Sequence, residues 1–222
     1  MKNIFFKALT TFICGLFSIF LLIFLPAGTF KYFGGILFML VLFIPMLVSG
    51  TVMLYKSPSL LESRLDFKEK QKGQSSVIFL SGIMFILGFI SAGLDFRFNI
   101  SRIPMYLQFS ASIVFLVGYL MYFIILSQNK FLSRTIKVME NQTVIDTGLY
   151  SIIRHPMYTS TIIMFLSMPL ILGSYISLII FSFYPVIIVK RIKLEEEFLE
   201  NNILRYAEYK SRVKYKLIPY IW

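Results

Sequence analysis

Gly148-Leu149-Tyr150-Ser151-Ile152-Ile153-Arg154-His155-Pro156-Met157-Tyr158 closes a polar loop and opens the last pair of apolar segments, and it holds the single histidine of the 222-residue chain. A glycine, an Arg-His pair and a proline followed at once by an apolar run have the make-up of a polar site at the mouth of a membrane bundle. Hydrophobic residues are 57% of the chain, Phe alone contributes 24, and mean hydropathy is +0.77. That is too apolar for a soluble domain, and several runs exceed the length of a core helix, so the chain reads as an integral membrane protein. The expected class is all-α: a multi-pass transmembrane helical bundle of five to six membrane segments, with a cytoplasmic loop and a C-terminal amphipathic helix. At this length, residues 1–222 form one domain.

The net charge of +11 invites a nucleic-acid reading, but its placement speaks against one. Nineteen of the 22 Lys and Arg fall at the N-terminus, in the second and fourth loops and from Lys190 on; only Lys31, Arg97 and Arg102 fall on the other side. This is the positive-inside pattern, with both termini cytoplasmic in a cell membrane. Attraction to anionic lipid headgroups adds about 1 kcal/mol per well-placed cation. The lone Cys14 cannot form an internal disulfide, and with one His it makes no zinc site, so no metal is expected.

Residues 1–127 divide into four membrane helices. The first apolar run, Ala8–Leu25, is too long for a signal peptide and lacks a small-residue cleavage pattern, so it reads as retained. The second, Phe33–Tyr55, carries Pro45 as a kink. In the loop Lys56–Gln74, Ser57-Pro58 and Ser59…Glu62 are helix-start signals, and Leu60, Leu61 and Leu65 fit either an interfacial helix or a solvated connector. The third and fourth helices are expected over Ser76–Leu94 and Met105–Ser127, with Asp95, Arg97 and Arg102 as interface charges in the loop between them.

Residues 128–222 form the second part. Asn129–Leu132 and Val144-Ile145 are too short to span and are candidates to dock on the bundle. Pro156–Leu172 and Tyr175–Val189 have 17 and 15 residues, at or below the limit for crossing ~30 Å of hydrocarbon, and form a hairpin turning at Gly173-Ser174. From Lys190 on, Ile192, Leu199, Ile203 and Tyr206 recur near helical spacing, the pattern of an amphipathic helix on the cytoplasmic face.

The hairpin returns the chain to the face it left, so Arg154 and His155 should neighbour Arg191 and Glu195-Glu196-Glu197. Pro156 biases His155 towards extended backbone and suits the first helical position, which seats His155 at an N-cap beside a partial positive charge, a place for an anionic or hydrogen-bonding ligand group. Arg191 and Glu195, four apart, share a helix face, either as part of a site or as an exposed ion pair.

Gly148-Leu149-Tyr150 with Arg154-His155-Pro156-Met157-Tyr158 resembles the Gly-x-Tyr…Arg-His-Pro-x-Tyr signature of the isoprenylcysteine carboxyl methyltransferase and phospholipid methyltransferase families. Arg191-Ile192-Lys193-Leu194-Glu195-Glu196 resembles their Arg-x-x-x-Glu-Glu element, and Ala207–Val213 with Leu217-Ile218-Pro219 looks like their C-terminal end. Lys56–Arg64 and Leu94–Phe98 are similar to bacterial members. The resemblance implies a cofactor site for S-adenosylmethionine between the polar loop and the hairpin's mouth, with a lipophilic or lipidated acceptor arriving from the bilayer. It assigns cofactor contacts to Gln142, Thr143, Val144, Ile145, Tyr150, His155, Pro156, Met157, Tyr158 and Glu195. Gln142 departs from the family's usual His at that position. Arg191 matches the residue facing the acceptor, where its planar fork suits a carboxylate or phosphate. A carboxylate acceptor needs no base; an amine would need one, and Glu196 is the candidate. Two other classes stay open: an NADPH-dependent membrane reductase of the sterol-reductase type, which shares the C-terminal architecture but is generally longer, and a non-catalytic protein retaining the fold.

Overall fold

The computed structural model describes residues 2–66, 74–129, 131–132 and 142–222. The expectations for the rest of the second and fourth loops, residues 67–73, 130 and 133–141, lie outside the described residues. Helix α1 runs Lys2–Ala27, α2 Phe33–Lys56, α3 Pro58–Arg64, α4 Gln74–Phe98 and α5 Met105–Gln128. After a 3-10 turn at Gly148–Ser151 come α6, Pro156–Leu172; α7, Tyr175–Phe181; α8, Tyr184–Asn202; and α9, Tyr206–Arg212. The chain is a helical membrane bundle, as its composition predicts.

Five helical stretches among the described residues are long and apolar enough to cross a bilayer: α1, α2, α4, α5 and the α7–α8 run, Tyr175–Asn202. Helix α6 has 17 residues and rises about 25 Å, short of a ~30 Å hydrocarbon core. The expected five to six segments are thus five long ones and a short one. Helix α6 lies along α5, α1 lies along α4, and α7 packs on α4. Lipid tails are as apolar as Leu, so helices associate through close packing and small residues at their contacts. Gly93 shows this: a Cβ there would stand 2.5 Å from the Ile23 carbonyl oxygen, so α1 and α4 can approach only without a side chain at that place.

Two boundaries differ from the sequence reading for identifiable reasons. Helix α4 continues through Asp95 and Arg97, because nothing breaks it before Asn99, which ends it in the left-handed region at φ 52° while the Ile100 N–H returns to the Asp95 carbonyl at 3.2 Å. The tail is not one separate amphipathic helix. The rise in polarity at Lys190 carries no glycine or proline, so the last membrane helix runs on to Asn202 and stops only before Arg205, at φ 67°. Helix α3 is no free connector: Leu60, Leu61 and the following Leu65 are buried against Met53 and Leu126, with Leu132 packed on the same cluster. The turn at Gly173-Ser174 stands where expected. Gly173 takes φ 80°, and the Ser174 hydroxyl caps α7 by accepting from the Ser177 N–H at 3.1 Å.

Asp95 is the largest departure from a bland interface charge. It is 1% exposed and accepts from the Ser101 N–H at 2.7 Å, from the Ser101 hydroxyl at 2.5 Å and from the Ser174 hydroxyl. One carboxylate thereby ties the α4–α5 connection to the start of α7. Beside it the buried Tyr32 hydroxyl donates to the Leu172 carbonyl at 2.5 Å and fixes the entry to α2 on the end of α6. Asp95→Ala would leave these donors without their acceptor and is expected to cost about 1.5–3 kcal/mol, the range for hydrogen bonds to a charged group. Thermal unfolding of the purified variant in detergent measures it, and an unchanged midpoint would remove the carboxylate's role.

Candidate functional site

At the other end of α6 three chain segments meet. The 3-10 turn and Ile152–His155 lead into the helix, α8 passes beside it, and the segment 213–217 lies across both. The Arg154 N–H donates to the Tyr215 carbonyl and the His155 N–H to the Lys216 carbonyl, each at 2.9 Å. The Arg154 guanidinium donates through Nη1 to the carbonyls of Val213 and Lys214 at 2.6 and 2.9 Å, and the Thr159 hydroxyl donates to that of Leu217 at 2.8 Å. His155 is the N-cap of α6, with φ −124° and ψ 57°; Pro156 at the first turn starts the helix, but His155 is less extended than the sequence predicts.

Glu195, Glu196 and Glu197 are successive positions of α8, so they point about 100° apart around the helix, and each has a different environment. Glu197 is exposed. Glu196 is 4% exposed, and its Oε1 accepts from Arg154 Nε at 2.7 Å and lies 3.1 Å from His155 Nε2, while Lys216 Nζ lies 3.1 Å from Oε2. Glu195 accepts from the Tyr158 hydroxyl, which in turn accepts from Arg191 Nε at 2.8 Å. The sequence places Arg191 and Glu195 on one face; the structure inserts the Tyr158 hydroxyl between them.

A polar cavity opens here. Gln142, Thr143, Val144 and Ile145 line it together with Tyr150, His155, Met157, Tyr158, Arg191 and Glu195. Of the candidate cofactor residues, Pro156 alone does not line it: it is fully buried beneath, starting α6. The wall also includes Arg154, of the expected Arg-His pair, and residues that no site expectation named: Asn129, Phe131 and Leu132 after α5, and Leu199, Ile203, Tyr206 and Tyr209. For Leu199, Ile203 and Tyr206 the sequence signal was apolar periodicity, which announces a buried face without saying that the face borders a cavity. Val144 packs on the cluster of Ile203, Tyr206, Tyr209 and Val213, which is how the short Val144-Ile145 stretch docks. Burial pushes the hydroxyls of Tyr150, Tyr206 and Tyr209 above the ordinary phenol range, so they stay protonated and act as donors; that of Tyr209 donates to the Tyr150 carbonyl at 2.7 Å.

Behind the polar cavity, between α1, α2, α4, α5, α6 and α8, lies an apolar cavity of about 760 Å³, walled by residues such as Phe12, Met46, Phe85, Phe123 and Met164. The two share Met157, Tyr158 and Arg191. A polar chamber and an apolar one therefore meet on the first turn of α6.

Glu196, the candidate base for an amine acceptor, stands apart from the cavity lining. Both its oxygens are engaged by cations, it is buried, and it does not line the polar cavity. It holds the site together and is not placed to take a proton from an acceptor. Glu196→Ala would strand Arg154 beside His155 and Lys216, and is expected to cost about 3–5 kcal/mol, the scale for breaking a buried ion pair from one side. The variant should unfold earlier and lose proteolytic protection of residues 205–222; wild-type protection and stability would contradict the assignment.

Residues 110–201 match the model of the isoprenylcysteine carboxyl methyltransferase family. No curated protein sequence matches the chain at a significant level. Among solved structures, that of the eukaryotic intramembrane Ras methyltransferase, an isoprenylcysteine carboxyl methyltransferase, aligns with a TM-score of 0.48 and 13% identity over 99% of this chain and 85% of that one. The match makes residues 110–201, rather less than half of the chain, similar to the isoprenylcysteine carboxyl methyltransferase family.

Proposed function

We propose that the protein transfers a methyl group from S-adenosylmethionine to a lipophilic acceptor at the cytoplasmic face of a membrane. The observation that carries this reading is the meeting of the two cavities at Met157, Tyr158 and Arg191. A water-soluble donor and a lipid-soluble acceptor need such a pair of adjoining chambers, because neither partitions readily into the other's medium.

The residues of the polar cavity fit the cofactor. The Glu195 carboxylate suits an ammonium or ribose hydroxyls, the start of α6 suits a carboxylate, and Phe131, Leu132 and Leu199 offer an apolar wall to a purine. Gln142 keeps a polar side chain where the family has His. When bound, the cofactor supplies an electrophilic methyl on a sulfonium, so the protein's work is to hold donor and acceptor in line. Tyr158 positions Arg191 and Glu195 together through one hydroxyl. Arg191 holds the acceptor's reacting group. Because Glu196 is engaged by Arg154, His155 and Lys216, the site offers no free base from that residue, which favours a carboxylate such as an isoprenylcysteine-like group over a protonated amine.

Purified protein in detergent should bind S-adenosylmethionine saturably, and Glu195→Ala should weaken binding roughly 10- to 100-fold, as expected for a lost hydrogen bond to a charged group. His155→Ala should weaken it as well. Binding of NADPH instead would point to a reductase and sink the proposal; binding of neither would leave a fold without turnover. The orientation has its own check in a Cys14→Ser background. Single cysteines at Lys7 and Arg205 should label from one side of sealed vesicles and one at Lys31 from the other, and any other pattern would refute the topology.

A further inference from the structure

Helix α3 ends with a cation on the wall of the apolar cavity. Arg64 is half-buried; its Nη2 donates to the Tyr122 hydroxyl, its guanidinium lies 5.5 Å from the centre of that ring, and its Nη1 is 4.0 Å from Met157 Sδ. Phenol and thioether orient the fork without compensating its charge, and among the described residues no carboxylate stands within ion-pair distance of it. The neighbouring leucines of α3 are buried, and the Ser63 hydroxyl donates to the Leu132 carbonyl at 3.2 Å, so the helix carrying Arg64 is anchored to the segment that borders the polar cavity.

Arg191 approaches the same place from α8. Arg64 touches Met157 and Arg191 touches Tyr158, the next residue, and both arginines line the apolar cavity. Arg64 brings its guanidinium to the wall of a chamber that Arg191 also borders, and an anion beside Arg64 would supply the compensation that its phenol and thioether partners do not. A chamber walled mainly by apolar residues, with the Arg64 guanidinium on its wall and Arg191 beside it, matches an amphiphile with an anionic head.

We propose that Arg64 is a second acceptor-binding residue, which with Arg191 clamps the anionic head, a carboxylate or a phosphate ester, of an amphiphile whose tail lies in the apolar cavity. That this amphiphile is the methyl acceptor rests on the reading given under Proposed function; the anion clamp itself does not. Tyr122 and Met157 hold the Arg64 fork in place, and α3 acts as the acceptor's gatepost at the membrane surface.

The test measures binding of three probes with one farnesyl tail to the full-length protein in detergent without cofactor: S-farnesyl-N-acetylcysteine, its methyl ester, and farnesyl monophosphate. Wild-type protein should prefer the anionic probes, with the tighter of the two identifying the head group. Arg64→Gln should weaken anionic binding about tenfold or more, the effect of losing a charge-assisted hydrogen bond, while leaving the ester and S-adenosylmethionine affinities within about twofold. Arg64→Lys should recover part of the loss. The proposal is overturned if wild type shows no preference, if Arg64→Gln keeps it, or if Arg64→Gln weakens the ester and S-adenosylmethionine to the same degree, which would mark a merely structural role. Cofactor binding with an Arg64-independent acceptor would defeat the clamp alone. An Arg64-dependent anion preference without cofactor binding would defeat the methyl-transfer reading alone.

Discussion

A single buried carboxylate, that of Glu196, organises the polar end of this molecule. Removing a carboxylate from water costs several kcal/mol, and it is tolerated only where partners satisfy its oxygens. Here Arg154, His155 and Lys216 do so, and each belongs to a segment that would otherwise be free to wander: the loop entering α6 and the stretch leaving α9. Arg154 then extends the tie through the carbonyls of Val213 and Lys214. Cavity-lining residues on either side, Tyr150 and His155 before α6, Leu199 and Tyr206 on the tail, keep their mutual positions because that one group is held by all the segments at once.

The opposite end of α6 is secured in the same way. Asp95, also buried, accepts from Ser101 and Ser174, and Tyr32 donates to the last carbonyl of α6. Helix α6 is too short to span the hydrocarbon comfortably, so hydrophobic matching alone does not fix its depth. Two buried acids fix it instead, one at each terminus, reached from α4 and from α8. The position of the first turn of α6, where the two cavities join, is thereby set from both ends.

Much of this was legible in the sequence, and the limits were physical. Hydropathy runs give the membrane helices because a 20-residue apolar stretch has few other stable fates, and Gly173-Ser174 gives the hairpin turn because a left-handed residue and a cap serve that geometry. The spacing of Arg154-His155 and Arg191–Glu195 brings those residues together correctly. What the sequence could not resolve was the role of each charge. Glu195 and Glu196 are chemically identical neighbours, and only the rotation of α8 sends one into the cavity and the other into a cation cluster. Asp95 looked like an interface charge because its partners Ser101 and Ser174 carry no charge to advertise the contact. Arg64 was invisible as a site residue because Tyr122 and Met157 lie about 60 and 90 positions away, and no local pattern predicts such a meeting.

The meeting point itself follows from helix geometry. Met157 and Tyr158 are consecutive, so their side chains leave α6 about 100° apart and serve different sides of one turn. Arg64 reaches the first and Arg191 the second, while Tyr158 also passes a hydrogen bond to Glu195. The boundary between polar and apolar chambers is thus one helical turn thick, with Arg64 on the apolar side, Glu195 on the polar side and Arg191 bordering both. That junction lies on the first turn of a helix held at both ends by buried acids.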